Sequence, residues 1–296
     1  MRARIALAVL LLLAVPASAQ ASQLIDRNAG GIRLEVNAKG QALITYRTGG
    51  RTRHVRAWGG LNAAPSAEGA NQVRFRLDYS GGWGTFRRET WKTFRNACKP
   101  YTGPPLAWLV TACTAPDGTH WALQGWRRLL PEYGVTANGI RNAVELRLSH
   151  WSGELPVLTI RVDWAYRRYD HLFGTFTYRD APVFGFRSTA SGSPLDSFGR
   201  NIYLDTLDSA YGPGWHRENS FLTHRGTGAF CYGLYPHGDR PAGKGARYRA
   251  TAIGPGATPD VMWEGAAPGP YDAALDRQLA EVLRQTVGND PLCRAV

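Results

Sequence analysis

The sequence predicts an all-β fold: an antiparallel β-sandwich, jelly-roll-like, with one C-terminal α-helix packed on it. Three observations carry that expectation. Apolar residues recur with period two, as where Val73, Phe75, Leu77 and Tyr79 alternate with Gln72, Arg74, Arg76 and Asp78, the signature of a strand with one buried face. Thirty-four glycines and eighteen prolines supply turns for many short strands. Helical periodicity is confined to one segment near the C-terminus.

Taken in order, the chain opens with Arg2 and Arg4, an apolar run over residues 5–15, then Pro16 and Ala17-Ser18-Ala19. That is the layout of a secretory signal peptide over residues 1–19, too short to span a bilayer. Residues 20–296 then read as a single β-sandwich domain of a secreted, extracellular protein with no membrane span. Asn37-Ala38-Lys39-Gly40 separates strands over 32–36 and 42–46, and Pro116-Asp117-Gly118 separates strands over 106–112 and 120–126. Val144, Leu146 and Leu148, and then Leu158, Ile160, Val162 and Trp164, mark two further strands. A helix over about 272–287 puts Leu275, Leu279, Val282, Leu283 and Thr286 on one face. Pro270 precedes it, and Gly288 and Pro291 follow.

Cys98, Cys113, Cys231 and Cys293 are an even set in an exported chain, which predicts two disulfides. Three pairings are possible. Loop length favours Cys98–Cys113, which leaves Cys231–Cys293 to tie the C-terminal tail to the body. No Cys or His spacing points to zinc, and nothing points to a cofactor; the expectation is no metal and no cofactor.

The formal charge of +12 falls to +10 without Arg2 and Arg4. A basic exported protein favours anionic polymers or the anionic cell envelope as partner. Nucleic acid is not expected, since export argues against it and no zinc, P-loop or nuclease motif occurs. Three arginine doublets adjoin aromatic residues: Phe86-Arg87-Arg88, Trp126-Arg127-Arg128 and Tyr166-Arg167-Arg168-Tyr169. Guanidinium forks grip carboxylate or sulfate at two points, and exposed rings stack on sugar faces.

The densest polar stretch spans residues 196–237. Trp215, Tyr211, Arg200 and Arg217 are its ligand-binding candidates. Were the protein an enzyme, Glu218 with Asp205 or Asp208 would supply the two carboxylates of a glycosidase, and His216 a base. The preferred expectation is binding of anionic or cell-envelope glycans through Arg and aromatic side chains. The alternatives are a polysaccharide-cleaving hydrolase or lyase, and a non-catalytic structural protein of the envelope.

The run Asn201-Ile202-Tyr203-Leu204-Asp205-Thr206-Leu207-Asp208-Ser209-Ala210-Tyr211-Gly212-Pro213-Gly214-Trp215 belongs with two others, Glu218-Asn219-Ser220-Phe221-Leu222-Thr223-His224 and Phe230-Cys231-Tyr232-Gly233. Together they resemble uncharacterised exported proteins of high-GC Gram-positive bacteria, over Val73 to about Trp263. That resemblance implies export and, with no activity known for the group, assigns no functional residue.

Overall fold

A computed structural model describes residues 22–64, 72–127, 143–165, 169–183, 202–218, 220–224, 229–234 and 245–287. The predicted signal peptide and Arg200 lie outside them. The fold is all-β, a sandwich architecture of antiparallel sheets with a helix at the C-terminal end.

The strands, in chain order, are β1 (Gln23–Arg27), β2 (Gly30–Val36), β3 (Ala42–Thr48), β4 (Arg51–Gly59) and β5 (Phe75–Asp78). Next come β6 (Lys99–Pro100), β7 (Leu109–Thr114), β8 (His120–Arg127) and β9 (Val144–Trp151). The second half holds β10 (Val157–Ala165), β11 (Tyr169–Tyr178), β12 (Ala181–Pro182), β13 (Ile202–Ser209) and β14 (Gly212–Arg217). It closes with β15 (Ser220–His224), β16 (Ala229–Leu234), β17 (Arg247–Ala252) and β18 (Val261–Ala266). They form four sheets: A (β1-β9-β8-β7-β6), B (β2-β3-β4-β5), C (β10-β11-β16-β15, with β12 beside β11) and D (β14-β13-β17-β18).

The sheets stack because each has an apolar face to bury. Val36, Ile44 and Val55 of sheet B meet Trp121, Leu123, Leu146 and Leu148 of sheet A in one core. Ile160, Leu172 and Phe176 of sheet C meet Leu204, Tyr248 and Ala250 of sheet D in another. Sheet A then turns its second face toward sheet D, where Trp126 packs with Tyr203 and Ile253. The layers therefore run B, A, D, C.

A middle layer explains one departure from the sequence pattern. Strand β9 alternates as though half-exposed, yet Glu145, Arg147 and Ser149 are all buried. Their face is covered by the connection from β17 to β18. Asp260, 1% exposed, accepts from Trp126 Nε1 at 2.8 Å and from the Gly254 N–H at 3.1 Å. It also accepts from the Ser22 hydroxyl. Gln124 donates to the Asp260 carbonyl at 2.9 Å and accepts its N–H at 2.8 Å. Arg147 reaches Asp260 at 4.0 Å and Glu145 at 2.7 Å. Burial raises the Asp260 carboxyl above its ordinary range despite Arg147 and these donors. Glu145, Arg147, Ser149 and Asp260 are thus buried with hydrogen-bond partners, as buried polar groups normally are.

The C-terminal helix, α2 (Ala273–Val287), starts where expected. Asp272 Oδ1 accepts the N–H groups of Ala274 and Leu275 at 2.7 and 3.1 Å, an N-cap that the sequence reading did not single out. The helix lies against β10 and β16 of sheet C. Among its described side chains, Asp276 and Leu279 are buried, Leu275 is partly buried and Val282 is half-exposed; the side chains of Leu283 and Thr286 lie outside the described residues. Among the described residues no helix is long and apolar enough to cross a membrane.

Cys98 and Cys113 are joined, with Cα atoms 5.7 Å apart. Cys113 sits in the A–B core and Cys98 packs against it. Cys293 and the side chain of Cys231 lie outside the described residues.

Candidate functional site: a tryptophan and arginine cleft between sheets A and D

Period-two alternation decides what faces the space between the sheets. In sheet D, Asp205 on β13 pairs across the ladder with Arg217 on β14 and Arg249 on β17, and Leu207 pairs with Trp215. Cross-strand partners share a face, so Asp205, Arg217, Arg249 and Trp215 all point the same way. Opposite them stand Trp126 and Arg127, at the end of β8, and Trp108, just before β7. Together with Thr251 these residues line a cavity of about 320 Å³, within the size range of small-molecule and sugar-ring pockets.

The cleft is organised around one carboxylate. Asp205, 2% exposed, receives the Nε and Nη2 groups of Arg217, the latter at 3.3 Å. It also receives Nε and Nη2 of Arg249 at 3.3 and 3.1 Å. Each guanidinium is stacked as well. Arg249 lies 4.8 Å from the Trp108 ring centroid and 4.1 Å from that of Trp215, while Arg217 lies 4.7 Å from Tyr203. Double anchoring removes the rotamer freedom that an arginine otherwise loses on binding. Arg127 is exposed and lines the cavity. Three arginines thus line the cavity with one carboxylate, Asp205, and Glu264 stands behind Arg249 at 3.9 Å. The cavity wall is positive.

Trp108 holds an uncommon backbone conformation, φ 57°. Bulky residues seldom adopt it, and such strain concentrates at functional sites. Its carbonyl accepts the Gly125 N–H at 2.9 Å, fixing the ring's position beside β8. Its indole Nε1 is buried with no acceptor among the described residues.

Of the ligand-binding candidates, Trp215 and Arg217 line this cavity, whereas Tyr211 does not. Tyr211 sits in the turn between β13 and β14, 6.2 Å from the His216 ring. The four catalytic candidates separate. Asp205 faces the cavity. Glu218 accepts from the Thr206 hydroxyl, whose strand position looks to the opposite side of sheet D. His216 Nε2 lies 3.0 Å from the Pro213 carbonyl. Asp208, exposed at the hairpin bulge, accepts the Gly214 N–H at 2.8 Å. No two of these carboxylates meet across the cleft. Among the described residues no group of three or more His, Cys, Asp or Glu could hold a metal.

Arg249 and Trp108 were not singled out from sequence. Arg249 had a usable signal: Arg247-Tyr248-Arg249 in an alternating strand puts two arginines on one face. Trp108 had none, because its apolar surroundings read as ordinary strand. Of the motif Trp126-Arg127-Arg128 expected from sequence to bind, Trp126 and Arg127 line the cavity, and Arg128 lies outside the described residues.

No family model, curated protein or solved structure matches this chain.

Proposed function

We propose that the cleft between sheets A and D binds the acidic groups of an anionic or cell-envelope polysaccharide, and that the protein works as a secreted glycan-binding protein. The observation that carries this reading is Arg249, held between Trp108 and Trp215 and fixed by Asp205. Pre-oriented guanidiniums match the two oxygens of a uronate carboxylate or sulfate, and indole faces match the apolar face of a pyranose. Three tryptophans and a net positive wall in one cavity supply both halves of that recognition.

Binding is favoured over cleavage by the inventory of the cavity. A glycosidase places two carboxylates roughly 5–9.5 Å apart. Here Asp205 is the single lining carboxylate among the described residues, and two arginines already occupy it.

The test is affinity electrophoresis and calorimetry of the mature chain with polygalacturonate, alginate and neutral dextran over a salt series. Saturable binding to the uronate polymers, at least tenfold tighter than to dextran, is expected. Retention no stronger than that of an unrelated protein of equal charge would discard the reading, and shortening of the polymer would replace it with an enzymatic one.

A further inference from the structure

A second positive cavity lies on the opposite side of the stack, on the outer face of sheet B. Residues 80–97 fold over that face as a roof containing α1 (Trp83–Phe86) and a 3-10 turn, Thr90–Thr93. The roof is pinned at several points. Trp91 stacks on His54 at 4.1 Å, Asn96 accepts the Val36 N–H at 3.1 Å, and Ala97 donates to the Val36 carbonyl at 2.7 Å. At Gly82 the backbone comes so near that a Cβ would stand 2.1 Å from Thr90 Oγ1, so only glycine fits. Between roof and sheet is a cavity of about 440 Å³.

Arg56 on β4 lies within it, only 4% exposed. Its guanidinium has neutral partners alone: Thr90 Oγ1 at 2.9 Å and Gln41 Oε1. Nε has no acceptor among the described residues. The nearest carboxylate belongs to Asp78, its cross-strand neighbour. That group is committed elsewhere, accepting the Ser80 N–H at 2.9 Å and the Thr85 N–H at 2.8 Å. Phe86 and Phe94 flank the guanidinium with centroids at 5.4 and 4.9 Å. Lys39, Arg88 and Arg95 add three more cations to the lining, which holds no Asp or Glu.

A buried guanidinium with no carboxylate in hydrogen-bonding contact is unfavourable, and proteins normally pair it directly or replace it with an apolar side chain. Here three further cations surround it and a roof is fastened above. We propose that the Arg56 cavity is an oxyanion-binding site, separate from the A–D cleft, that takes a carboxylate or sulfate group and completes the coordination of Arg56. The anion sits beside the guanidinium that Phe86 and Phe94 flank, with Arg88 and Arg95 in the lining to meet its remaining charge. Burial lowers the Arg56 pKa from its ordinary value, against the pull of Asp78; the guanidinium stays charged at neutral pH, and an arriving anion offsets the cost of its burial.

The experiment is calorimetric titration of the mature chain at low ionic strength with sodium glucuronate, sodium sulfate and glucose. Saturable binding of at least one anion is expected, with glucose inert; the stronger anion identifies carboxylate or sulfate as the natural group. Arg88→Gln with Arg95→Gln, both at exposed positions, should weaken that binding at least tenfold. These titrations are read in the Trp215→Ala background, which disables the other cleft; there Arg56→Met should abolish the anion binding. Neither anion binding, equal heat with glucose, or unchanged affinity in the exposed double variant would each overturn the proposal, whether or not the Arg56 variant folds.

Discussion

The indole N–H of Trp126 donates to the carboxylate of Asp260 across the junction of sheets A and D, at 2.8 Å. One ring thereby serves two purposes: its N–H ties the layers together and its face forms part of the candidate binding cleft. Stability and recognition are linked through that contact.

Asp260→Ala should therefore destabilise strongly. It removes the acceptor for Trp126, Gly254 and Ser22 and one of the two carboxylates beside buried Arg147. Breaking one partner of a buried ionic network typically costs about 3–5 kcal/mol, and urea denaturation should read a loss of that order. A loss under about 1 kcal/mol would show that the network is dispensable.

Trp215→Ala should separate binding from folding. Its ring is partly exposed and covers Arg249, so affinity for a uronate polymer should fall tenfold or more with little change in Tm. Tyr79→Ala, at an exposed ring far along the sequence, is the matched control and should bind as the parent does. Equal loss in both variants would remove the cleft from consideration.

The disulfide closes a separation of 15 residues. In the chain-entropy model such a loop contributes about 3 kcal/mol. Replacing Cys98 and Cys113 together by Ala should lower the unfolding free energy by roughly that amount, read by urea titration at 25 °C.

His150 predicts an acid-sensitive junction. Its ring stacks on Trp121 at 3.9 Å and lies 3.0 Å from the Gly59 carbonyl and 2.9 Å from Thr119 Oγ1. Burial lowers its pKa below the ordinary histidine value, against the opposing pull of Gly59 and Asp117. The unfolded chain therefore takes up the proton first, so this contribution is complete above about pH 6.5 and is lost as pH falls through the depressed folded value. Tm should drop between pH 7 and 5 in the parent and drop less in His150→Gln. Parallel profiles would assign the acid sensitivity to other groups.

Strands, turns and the C-terminal helix were readable because their signals are local. Asn37 and Gly40 turn β2 into β3, and Pro270 leads into α2, within a few residues of where periodicity changes. The Cys98–Cys113 pairing was favoured by proximity in sequence for the same reason. What stayed hidden depends on contacts between distant segments. Glu145 and Arg147 read as the wet face of a strand because nothing local announces the chain around Asp260 that covers them. The candidate set around residues 205–218 divided for a related reason: neighbours in a strand point to opposite faces, so Asp205 and Thr206 look into different layers. Arg56 gave no warning at all, since its burial exists only once residues 80–97 fold over it.

Ser22 and Asp260 are hydrogen-bonded although 238 positions separate them. Closing so wide a circuit orders nearly the whole described chain for a single contact, and contacts this far apart slow folding. Until the segment carrying Asp260 arrives, the face of sheet A that bears Arg147, Glu145 and the ring of Trp126 stands open to water.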